Sequence, residues 1–155
     1  MVTEPGFDLG DAHKHFSVEC FNQVWNLIDK SHRTPAEDQE MIETCLASLW
    51  HWSQREDCTP TNLSIGYWQA ARVYALLGQA ENAMQYAQMC LNVSHASDVL
   101  PFYLGYAYEA MARAASAAKD PEKVAEYLAK ARRVAAAVPD PEERDQLLED
   151  LETIA

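Results

Sequence analysis

The sequence predicts an all-α fold, a stack of antiparallel helical hairpins with about seven helices and a C-terminal capping helix. Three observations predict it. Capping signals built around proline recur along the 155 residues, apolar side chains recur at helical spacing between them, and no stretch alternates in the manner of a strand.

The first helix is expected over 9–31, where Phe21, Val24, Trp25 and Ile28 stand at i, i+3, i+4 and i+7. Thr34-Pro35-Ala36-Glu37 opens the second, 35–54, with a capping side chain, a proline at the first helical position and a glutamate three residues on. Thr59-Pro60 is a weaker start of the same kind for the third, 60–77, and Gly78 turns the chain into the fourth, 79–94. Ser97-Asp98 marks the fifth, 98–118. Asp120-Pro121-Glu122-Lys123 repeats the cap and proline for the sixth, 121–137, which carries Val124, Tyr127, Leu128 and Ala131 on one stripe. Asp140-Pro141-Glu142-Glu143 opens the seventh, 141–153, with Leu147, Leu151 and Ile154 facing one way. Short connections make sequential helices antiparallel, so the first six pair as three hairpins. The seventh, with seven acids between Asp140 and Glu152, caps the last hairpin with a solvated face. Residues 1–8 are expected to be a flexible lead-in to one domain spanning 1–155.

Charge narrows the function classes. Twelve basic against 24 acidic side chains leave a net charge of −12, a poor match to phosphate backbones or to anionic membrane surfaces. No apolar run approaches the ~20 residues of a membrane span. The segment Met1–Gly10 has neither a basic region nor an apolar core, so no secretory signal is expected. Cys20, Cys45, Cys58 and Cys90 are scattered, a pattern suited to reduced thiols and a cytoplasmic location.

Self-comparison adds a repeat. Tyr67, Ala70, Ala71, Tyr74 and Ala83 hold the offsets of a bulky residue, small partners, an aromatic and an alanine, with Gly78 at the turn and Ala87 and Cys90 beyond it. A second copy follows 41 residues later as Tyr108, Met111, Ala112, Ala115, Val124, Leu128 and Ala131. Over roughly 60–135 this resembles the tetratricopeptide-repeat superfamily. The first hairpin (Phe21, Val24, Trp25, Ile28, with Met41, Cys45 and Ser48) fits once a few residues are inserted in its turn. The period of 41 exceeds the family's 34, the closing proline is missing, and the second copy has no turn glycine. The resemblance implies a right-handed stack whose first helices line a concave groove for a peptide or partner protein. It implies groove-facing positions at Trp68 and Arg72, at Glu109 and Arg113, and at Asn22 and Asn26 in the first hairpin. The family's lysine-and-asparagine clamp for C-terminal carboxylates is not reproduced here. Arg72 and Arg113 have the donor geometry to take a carboxylate, or to pair with nearby glutamates.

Other constellations point elsewhere. In Trp50-His51-Trp52 the side chains diverge by ~100° each, so one tryptophan is expected in the core and the other exposed. Trp50 and Trp52 are therefore candidate oligomer contacts, and a structural homodimer is an alternative reading. Asp11, His13, His15, Glu19 and Cys20 gather metal-capable groups at the start of the first helix, but no second-helix ligand pair completes a set. His51 and His95 would join only through tertiary structure. A metal- or ligand-binding bundle using the N-terminal histidines is the second alternative, and no cofactor is expected. No phosphate loop, nucleophile elbow or H-E-x-x-H helix is present in the sequence. Lys130, Arg132 and Arg133 sit where cations suit a helix C-terminus. The expected function is thus a non-catalytic, cytoplasmic protein-interaction module.

Overall fold

The structure, a computed structural model, describes residues 3–154. Among the described residues it contains α-helices and no strand: α1 (Leu9–Ile28), α2 (Pro35–Ser53), α3 (Pro60–Leu76), α4 (Ala80–Ser94), α5 (Pro101–Ala117), α6 (Pro121–Ala135) and α7 (Pro141–Glu152). Of the lead-in expected at 1–8, residues 1 and 2 lie outside the described residues, and Asp8 caps α1 by accepting from the Asp11 N–H at 2.8 Å.

Helix starts follow the capping chemistry. Thr34 Oγ1 accepts from the Glu37 N–H at 3.2 Å while the Glu37 carboxylate accepts from the Thr34 N–H at 2.9 Å, a complete capping box. The Asp120 and Asp140 carboxylates accept from the N–H groups of Lys123 and Glu142 at 3.1 and 2.8 Å. The fifth helix departs from expectation, starting at Pro101 instead of residue 98. Proline pushes its predecessor out of the helical region, and Leu100 is accordingly extended, with φ −70° and ψ 154°. An aspartate three residues upstream cannot overcome that steric bar.

The chain divides into two compact units, Met1–Thr59 and Pro60–Ala155. In the first, α1 and α2 form an antiparallel hairpin over Val24, Leu27, Met41 and Cys45. Ser48 Oγ donates to the buried carbonyl of Ser17 at 2.8 Å. In the second, α3 pairs with α4 and α5 with α6; α5 also packs on α3 and α4, and α7 lies across α5 and α6. Ala70, Ala71, Ala83, Ala87, Ala107, Ala112, Ala115 and Ala131 are buried there. Side chains that small let backbones approach closely.

The 41-residue recurrence reappears in the turns. At the end of α3 the Gln79 N–H reaches the Tyr74 carbonyl at 2.9 Å and the Gly78 N–H reaches Ala75 at 3.1 Å. At the end of α5 the Asp120 N–H reaches Ala115 at 3.0 Å and the Lys119 N–H reaches Ser116 at 3.0 Å. Both are Schellman motifs, closed by a left-handed residue: Gly78 at φ 71° and Lys119 at φ 57°. The missing glycine of the second copy therefore leaves the turn geometry intact, with lysine held in the conformation that glycine takes freely.

Candidate functional site

Four of the sequence-predicted positions converge on one face of the second unit. Trp68 and Arg72 lie one turn apart on α3, Glu109 and Arg113 one turn apart on α5, and α5 packs beside α3. Trp68 Nε1 donates to Glu109 Oε2 at 2.6 Å, a direct bond between residues 41 apart. Arg113 Nε donates to the other oxygen, Glu109 Oε1, closing an ion pair. With both oxygens occupied and 1% exposure, Glu109 is a buried anchor for Trp68 and Arg113 rather than a surface contact.

The C-terminal helix completes the cluster. Arg113 Nη2 donates to the Asp150 carbonyl at 3.2 Å and to Thr153 Oγ1 at 2.8 Å, and Tyr106 donates its hydroxyl proton to Asp150 Oδ2. Burial, then the Asp150 carboxylate, pushes the Tyr106 pKa well above its ordinary value, so the phenol remains a donor. Trp68 meets Tyr106 edge-on, with ring centroids 5.6 Å apart, and packs against the buried cluster of Ala131, Ala135, Leu147 and Leu151. Arg72 differs from Arg113. It is half-buried, and among the described residues no hydrogen bond or ion pair holds it. Burial and the like charge of Arg113 hold its pKa below the ordinary guanidinium value, while Glu109 and Asp150 pull the other way. Arg72 is thus a partly desolvated cation whose carboxylate neighbours are engaged elsewhere.

The remaining predicted positions lie in the first unit. Asn22 and Asn26 are exposed on α1. Neither tryptophan of Trp50-His51-Trp52 enters the core, contrary to the expectation for one of them. Trp52 is half-buried, with the Arg55 guanidinium 3.9 Å above its ring, and Arg55 is in turn fixed by Asp57 and Ser17. Trp50 is 56% exposed, beside His51. The histidines of the first helix do not assemble with Asp11, Glu19 and Cys20, and among the described residues no group of three or more His, Cys, Asp or Glu could hold a metal ion. What the structure brings together instead is His13 and His51, with their Nδ1 atoms 2.9 Å apart. Burial, then the nearby His13, lowers the His51 pKa. Their separation of 38 residues left no sequence signal for this pairing.

An open depression along α4, lined by Ala80, Met84, Gln85, Gln88 and Ala118, carries Glu81 as its ionisable lining residue. No helix among the described residues is long and apolar enough to cross a membrane. No family model, curated protein or solved structure matches the chain.

Proposed function

We propose that the chain is a non-catalytic protein–protein interaction module, a right-handed tetratricopeptide-like stack working in the cytoplasm and holding a peptide or partner segment along α3 and α5. The observation that carries this reading is the pair Trp68 and Arg72. Trp68 is half-buried and its indole is fixed by Glu109 and Tyr106, so the part that reaches the surface is pre-ordered. One turn away, Arg72 offers a guanidinium with open donors, suited to a carboxylate on the partner. Arg113, which the sequence also nominated, is committed to Glu109 and α7 and acts as a support.

The test is comparative capture on the immobilised chain from source-cell extract. Arg72→Glu should retain at least tenfold less of the partners held by the wild type, with an unchanged melting temperature. Retention of the same partners by the variant would show that this face is not the binding surface.

A second reading, a homodimer through α1 and α2, is supported by the exposure of Trp50 (56%) and Phe16 (46%) on the same hairpin. Trp52, covered by Arg55, drops out as its contact. Light scattering over a hundredfold concentration range tests it, with Trp50→Ser expected to abolish any dimer.

A further inference from the structure

His13 on α1 and His51 on α2 face one another across the first hairpin, Nδ1 to Nδ1 at 2.9 Å, with ring centroids 5.1 Å apart. One imidazole donates and the other accepts, which fixes opposite Nδ1 tautomers on the two rings. Aromatic rings wall the pair. Trp50 stands edge-on to His13 at 5.3 Å and to His51 at 5.0 Å, and Phe16 lies 5.5 Å from His51. Both histidines are half-buried, so solvent reaches the open side.

We propose that His13 and His51 form a two-imidazole site for a divalent late transition metal of the copper, nickel and zinc class, with water completing the coordination. The distance fits this use. For metal–nitrogen bonds of ~2.0–2.1 Å, two ligands at a right angle stand about 2.9 Å apart, so the two Nδ1 atoms, which share a hydrogen bond at 2.9 Å, need to reorient and not to approach. Square-planar and octahedral ions with nitrogen and oxygen ligands take such cis pairs, and imidazole is a good donor to each of these metals. Binding would replace the hydrogen bond between the two rings with two metal–nitrogen bonds, each ring reorienting so that its Nδ1 lone pair faces the ion. The single proton between the rings moves to Nε2 of its own imidazole, so binding changes a tautomer and releases no net proton. The ion would then staple the start of α1 to the end of α2. A site of two protein ligands and several waters binds reversibly and exchanges its metal.

The experiment uses the full chain and copper(II) chloride in a non-chelating buffer at pH 7.5. Titration should show one strong site, with an electron paramagnetic resonance spectrum carrying two equatorial nitrogen couplings. Fluorescence should be quenched in proportion, and Trp50→Phe should remove most of that quenching. His13→Ala and His51→Ala should each weaken binding at least tenfold, whereas His15→Ala and His95→Ala should leave it unchanged. Nickel(II) should raise the melting temperature of the wild type and not of His51→Ala, a readout that compares each folded protein with itself. Binding insensitive to His51→Ala, or a single-nitrogen spectrum, would overturn the proposal.

Discussion

Lys119 occupies a position where its side chain contributes no required contact and its backbone is forced to φ 57°. L-residues other than glycine lose roughly 1–2 kcal/mol in the left-handed region, so Lys119→Gly should raise stability by about 1 kcal/mol. Gly78 is the converse case. A Cβ there would meet nothing within 4 Å, so Gly78→Val tests conformation alone and should lower stability by about 1–2 kcal/mol. Urea denaturation of both variants checks the pair, and a neutral Lys119→Gly would mean the turn relaxes around lysine. Cysteine chemistry is equally local. Burial pushes the Cys45 thiol up to about 12 and Cys90 up to about 11, and it raises Cys20 and Cys58 as well. A disulfide reagent at pH 8 should therefore find no fast-reacting thiol in the folded chain, with Cys45 and Cys90 modified only on unfolding. Trp68 combines both kinds of role. Trp68→Ala would strand a buried Glu109 oxygen and open the cluster around Leu147, for a loss of about 2–4 kcal/mol. For that reason Arg72, and not Trp68, is the substitution that separates binding from folding.

Among the elements, α7 is held by shape as much as by charge. An added Cβ on Gly105 of α5 would stand 2.4 Å from Leu147 Cδ2, and Leu147 is fully buried. Gly105→Ala should therefore cost about 1–2 kcal/mol by displacing α7. Paired with Leu147→Ala in a double-mutant cycle, it should show strong non-additivity, because the smaller side chain removes the clash. Additive losses would place the strain elsewhere. Helix positions themselves were legible because their signals are local: Thr34, Asp120 and Asp140 cap the helices that their sequence contexts announced. The start of α5 falls at Pro101 and not at residue 98 because two local rules compete there, and the steric effect of Pro101 on Leu100 prevails over a cap at Asp98.

For the whole molecule, far-ultraviolet circular dichroism should be that of a helical protein without a strand component, and a substantial strand signal would contradict the structure. The sequence by itself determined the all-α class, the approximate extent of each helix and the 41-residue recurrence that relates Trp68 to Glu109 and Arg72 to Arg113. Those features depend on neighbours within a few residues or on a period read directly along the chain. Which of the four stays available was decided only by tertiary structure. Burial of Glu109 follows from α5 packing against α3, and Arg113 is claimed by Asp150 and Thr153 through the return of α7. The pairing of His13 with His51 belongs to the same category, since it arises from the register of α1 against α2. A side chain's accessibility and its bonded partner depend on which distant surface covers it. Spacing along one helix carries the direction in which a residue points, but not what it meets there.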